Sequence, residues 1–197
     1  MDELRKIVAV LTLSAIMLAF TAPALARMHG EMQDGMMSME QSNKDMMAAM
    51  MDTKDIGIAA STMKTAGIEG MMMPEGRYTL FVASDTALNT MSPDMKNKMM
   101  EKMKDRQKAT EFVRGHMINN MVMPDDMTDG KTLTLMNGKT MTVRRMDGRM
   151  MVDDANIIKA VKTNNGMIYV MDKIPSSIRT MMERMDMLPA SAISVSR

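Results

Sequence analysis

The sequence predicts one domain of mixed α and β structure behind a short leader. Its 197 residues, 46% of them hydrophobic, are enough for a single packed core. Apolar residues recur at helical spacing through the first half, while the second half alternates apolar and polar residues around Asn137-Gly138, a strong hairpin signal. A formal net charge of +1 gives no general pull toward nucleic acid. With no cysteine, the chain has no disulfides, thiolate metal sites or cysteine nucleophile. Methionine is the outlier at 35 residues, against 3% aromatics and no tryptophan. It must take over packing normally done by Leu, Ile and Phe, or supply a chemistry of its own.

The leader comes first. Arg5 and Lys6 precede an uncharged run from Ile7 to Phe20, too short to span a bilayer comfortably. Pro23 and then Ala24-Leu25-Ala26 give the small-x-small pattern of a signal peptidase site, so residues 1–26 are expected to be a cleaved signal peptide. The mature chain is then extracytoplasmic, secreted or periplasmic, with no further membrane span. Residues 27–49 are expected to form a methionine-rich flexible arm, 50–185 the domain, and 186–197 a frayed tail.

Within the domain, a helix starting near Asp45 is expected to run on through Ile56, Ala59, Met63 and Ala66 and to end at Gly67 and Gly70. Arg77 to Val82 is rich in strand formers. Ser84-Asp85 caps a short helix holding Ala87, Leu88 and Met91. Ser92-Pro93-Asp94 opens another, because proline is tolerated in a first helical turn; it carries Met95, Met99, Met100 and Met103 with lysines on its other face. Gln107 to Arg114 is helical. Thr132 to Leu135 and Thr140 to Arg144 form the hairpin, Met150 to Val152 follows the turn at Asp147-Gly148, and Met167 to Met171 is a nearly continuous apolar strand. Pro175 opens a last helix reaching about Met185. Because methionine is costly to order, leucine at Met99 or Met103 should leave thermal melts unchanged or slightly raised.

No catalytic constellation emerges. The two histidines, His29 and His116, are far apart, and His116 lies in an apolar run as a hydrogen-bonded core residue would. The chain has no Gly-x-Ser-x-Gly, phosphate loop or dinucleotide fingerprint. The pairs Asp125-Asp126 and Asp153-Asp154 fall in turns, where carboxylates cap backbone amides. A soft-metal reading rests on thioether sulfur, which suits Cu(I) or Ag(I). Met28, Met32, Met36, Met37 and Met39, with His29 beside them, could bring sulfurs to one ion. Against it, most of the methionines lie beyond this segment, at positions where unbranched apolar filler would serve. A third use for exposed methionines is as a reversible oxidant sink.

Three segments together resemble a fasciclin domain. Tyr78-Thr79-Leu80-Phe81-Val82-Ala83-Ser84-Asp85-Thr86-Ala87-Leu88 is similar to the first box of that family. Phe112-Val113-Arg114-Gly115-His116-Met117-Ile118 is similar to its central segment, and Met151 to Ile174 to its second box, through Asn165-Gly166-Met167-Ile168-Tyr169-Val170-Met171-Asp172. The resemblance implies a mixed α/β fold, a wedge of about seven strands with helices packed around it, and the role of a non-enzymatic extracellular adhesion module. It makes Phe81, Ser84, Asp85, His116, Asn165, Gly166 and Asp172 structural motif residues. Asp85 is expected to accept N–H groups of the helix that follows it, and Asn165-Gly166 to give the backbone freedom for a tight turn.

Three departures accompany the match. Gly115 stands where the family has tyrosine, Tyr169 where it has histidine, and Asn156 where animal relatives carry an acidic recognition residue. The segment Asp154, Asn156, Ile157 and Ile158 is the candidate partner-binding stretch, without the integrin recognition of those relatives. The expected function is therefore adhesion to a protein or polysaccharide of the cell surface, envelope or matrix, with no nucleic acid partner and no cofactor. The alternative is Cu(I)/Ag(I) binding or oxidant buffering by the arm. On these readings adhesion survives deletion of residues 27–53 and metal binding does not.

Overall fold

A computed structural model describes residues 37–73 and 75–186. The leader, the residues after 186, and the candidate ligands Met28, His29, Met32 and Met36 lie outside the described residues. Within them the chain is a mixed α/β domain of eight strands and six helices. The strands are β1 (Ser38–Gln41), β2 (Tyr78–Ala83), β3 (Met117–Ile118), β4 (Thr132–Thr134), β5 (Thr140–Met146), β6 (Arg149–Val152), β7 (Ala155–Thr163) and β8 (Gly166–Met171). The helices are α1 (Met46–Asp52), α2 (Gly57–Thr65), α3 (Asp85–Asn89), α4 (Pro93–Lys102), α5 (Arg106–Arg114) and α6 (Ser176–Arg184).

The strands run in the order β3-β2-β8-β7-β6-β5-β4, with β1 added to β7. β2 and β8 pair in parallel at the centre, Tyr78 opposite Gly166 and Ala83 opposite Met171. Every residue of both strands is buried, which explains their continuous apolar character where alternation would mark a half-exposed strand. Phe81 and Tyr169, paired across this centre, stack with ring centroids 5.3 Å apart. The second half is a meander. Asp147 and Gly148, both with positive φ, close β5 onto β6 in the two-residue turn that matches strand twist. β7 is the longest strand and carries neighbours on both edges: β8 along one, β6 and then β1 along the other.

The expected flexible arm is shorter than its assigned range. Ser38 to Gln41 pairs in parallel with Lys159 to Lys162, which supplies the strand beyond the implied seven. Lys159 Nζ also meets Glu40 at 2.9 Å. Met46 and Met50 in α1 are wholly buried, so hydrophobic burial ties this segment to the domain. Deletion of residues 27–53 would consequently remove a strand and part of the core; a cut before Met37 leaves the described domain whole.

The long first helix is in fact two. Asp55 adopts φ 67°, a left-handed conformation that ends helical progression between α1 and α2. Gly67, at φ 77°, terminates α2 as expected. Methionine is a genuine core material here. Met99 on α4, Met103 capping its end, Met117, Met127 and Met141 are all at most 2% exposed, consistent with unbranched side chains filling irregular gaps between helices and sheet.

Candidate functional site

Ser84, Asp85 and Asp172 follow the carboxyl ends of β2 and β8, whereas Asn165 and Gly166 lie at the opposite, amino end of β8. Ser84 leaves β2 in extended conformation and its Oγ accepts the Ala87 N–H at 3.1 Å, capping α3. Asp85 does something other than expected. Its two carboxylate oxygens accept from Gly57 N at 2.9 Å and Ile58 N at 2.8 Å, so it caps α2, and its own N–H donates to the Asp55 carbonyl. The carboxylate thus joins two helices distant in sequence at the point where the left-handed Asp55 breaks the chain.

His116 follows α5 and is 6% exposed. Its Nδ1 lies 2.7 Å from the Phe112 carbonyl, which can only accept, so Nδ1 carries the proton. The Phe112 ring packs against the imidazole with centroids 4.3 Å apart. Burial lowers the pKa of His116 to about 4, outweighing the Phe112 bond that favours protonation. The ring is neutral at physiological pH.

The departures are absorbed structurally. A side chain at Gly115 would meet Met181 Sδ at 2.0 Å, so the space beside this position is filled by Met181, whose sulfur also accepts Asn137 Nδ2 at 3.4 Å. Tyr169, standing for a histidine, donates its phenol to the Val122 carbonyl at 2.8 Å. Burial, and then the charges of Asp126 and Asp125, push that phenol well above its ordinary range, so it stays a donor.

Asn165 and Gly166 also differ from expectation. Neither has positive φ. Asn165 Oδ1 accepts the Met46 N–H at 2.8 Å at the start of α1. Gly166 is required by close approach: a Cβ there would lie 2.1 Å from the Tyr78 carbonyl oxygen. The αL freedom assigned to this pair is used instead at Gly138, φ 80°, in the β4–β5 hairpin.

The candidate partner-binding stretch is partly committed to internal bonds. Asp154 accepts Ser176 N at 2.7 Å and Asp153 accepts Ser177 N at 3.3 Å, together capping α6. Burial would raise the Asp154 pKa, but the Ser176 bond, Lys173 and Arg179 together hold it below the ordinary carboxylate range. Asp172 accepts both the Asn156 N–H, at 2.9 Å, and its side-chain amide, at 2.5 Å. An aspartate at 156 would set two carboxylates against each other. Asn156→Asp should therefore cost about 1 kcal/mol at pH 7 in denaturant melts, and the deficit should shrink as pH falls into the carboxylate range.

Ile157 is buried, whereas Ile158 is 40% exposed because a bulge between Ile157 and Lys159 turns it out of the ladder. Its carbonyl accepts Ser38 Oγ, and the exposed Met39 lies one residue further along β1. Of the described arm candidates, Met37 packs against the core and Met39 is open to solvent. Sequence reasoning overlooked this β1–β7 edge; the only signal for it was Ile158, an apolar residue out of alternation.

No curated protein matches the sequence. Among solved structures, a FAS1 domain pair from the insect cell adhesion molecule fasciclin I is similar, at TM-score 0.57 and 14% identity. The match covers 66% of this chain and 50% of that one, so the chain spans half the length of the pair and shares its fold. The family model of the fasciclin domain matches residues 54–174, which include both boxes and the central histidine segment, and the chain belongs to the fasciclin domain family.

Proposed function

We propose that this domain is an extracytoplasmic recognition module that adheres to cell-surface, envelope or matrix components through its surface, without catalysis. Membership of the fasciclin family carries the reading. The similar solved structure comes from a cell adhesion molecule. The carboxylates of Asp85, Asp153, Asp154 and Asp172 support it, since each is occupied in holding backbone amides. Among the described residues, no helix is long and apolar enough to cross a membrane, and the leader pattern of residues 1–26 fits export.

The exposed edge formed by Met39 and Ile158 is the adhesive face in this reading, because large apolar groups held out by a strand edge and a bulge gain by burial against a partner. Surfaces coated with chain 27–197 should retain cells or envelope fragments of the producing organism. The Met39→Glu/Ile158→Glu variant, folded by circular dichroism, should retain several-fold less. Retention no greater than on an unrelated protein of similar charge would sink the adhesive function.

A further inference from the structure

A cavity between the helices and the carboxyl ends of β2 and β8 combines His116 with four methionines, Met63, Met99, Met171 and Met182. These methionines come from α2, α4, β8 and α6, and none is more than 2% exposed. The free volume is about 30 Å³, enough to admit a water-sized occupant. A single ion fits this space.

The imidazole is already oriented. Because Nδ1–H is fixed on the Phe112 carbonyl, the lone pair of the neutral ring is on Nε2, which has no hydrogen-bond partner among the described residues. A hydrogen bond on one ring nitrogen is how a histidine ligand is commonly set for metal at the other. Thioethers and a neutral imidazole bring no negative charge, and burying an uncompensated divalent ion in an apolar interior is far costlier than burying a monovalent one. Sulfur softness makes the same selection.

We propose that this cavity is a binding site for a soft monovalent ion, Cu(I) or Ag(I), held by His116 Nε2 and by thioethers drawn from Met63, Met99, Met171 and Met182. It is distinct from the leading methionines, and it does not depend on the adhesive reading. The other residues of the cavity wall, among them Val82, Leu88 and Phe112, are mostly apolar.

Silver tests this without redox side reactions. The full chain has only two histidines, so a spectrum of histidine-labelled (¹⁵N) protein distinguishes His116 from His29. A single equivalent of Ag(I) should move the His116 Nε2 resonance and raise the melting temperature. Met99→Leu/Met182→Leu, which conserves volume, should weaken silver binding by about tenfold or more. Leucine at Met28, Met32, Met36 and Met39 should leave it unchanged. A His116 resonance that stays put while silver is taken up elsewhere, or not at all, overturns the site. So does a folded Met99→Leu/Met182→Leu variant that binds as tightly as the parent.

Discussion

Gly166→Ala should destabilise the domain by about 3 kcal/mol, read as a lowered urea midpoint with an unchanged slope. The reason is the backbone. Gly166 opens β8 directly opposite Tyr78 in the parallel β2–β8 pair. A methyl at this position would lie 2.1 Å from the Tyr78 carbonyl oxygen and 2.6 Å from Met46 Cε. Met46 can move aside, since its side chain is flexible. The Tyr78 carbonyl cannot, because it belongs to a strand buried along its whole length and bonded to β3 on its other side. Relief requires separating β2 from β8 at the centre of the sheet. Gly67→Ala is the control: its φ is 77°, but nothing lies within 4 Å of the added carbon. That variant meets only the left-handed conformational penalty of about 1 kcal/mol. Equal losses in the two variants would show that close approach at Gly166 is unimportant.

That distinction marks where local sequence signals stop. The hairpin at Asn137-Gly138, the turn at Asp147-Gly148 and the helix caps Ser84 and Ser92 were legible because each depends on residues within a few positions. Asp85 was recognised as a cap but assigned to the wrong helix. A carboxylate's partner can be distant in sequence, and the Gly57 and Ile58 amides reach it only through the fold. Apolar periodicity continues through Asp55, so nothing in the pattern announces the break between α1 and α2.

β7 was hidden for a different reason. Its bulge at Ile158 inserts one residue, which shifts the alternation that identifies a strand halfway along Ala155–Thr163. β1 has the sequence Ser-Met-Glu-Gln, three of its four residues are exposed, and it is a strand because β7 offers it an edge. The tertiary partner decides such a segment, and a single-chain pattern carries no record of it. Much the same holds for the His116 cavity. Its methionines read as generic filler because their meeting around one histidine is a property of packing between three helices and a strand.

His116 should make the metal-free domain lose about 3 kcal/mol of stability between pH 6.5 and pH 4. The folded pKa is about 4, from the ordinary 6.5, with burial the dominant cause. Above pH 6.5 the ring is neutral in both folded and unfolded chains and the full stability is present. As pH falls through the window, the unfolded chain takes up a proton that the folded ring refuses, so unfolding is favoured by up to about 1.4 kcal/mol per pH unit. Below about pH 4 both states are protonated and this loss levels off. Asp154 acts in the same direction, since its depressed pKa makes its stabilising contribution disappear as pH falls, but it does so below the ordinary carboxylate value and therefore at lower pH. His116→Phe separates the two. It retains an aromatic ring against Phe112, and the Phe112 carbonyl still accepts the Gly115 N–H at 3.1 Å. Urea titrations of His116→Phe across this range should be nearly flat from pH 6.5 to about 4.5, while the steeper loss at lower pH persists. A parent protein equally flat over the same interval would mean that the imidazole protonates in the folded state without penalty, and that its burial is breached by water.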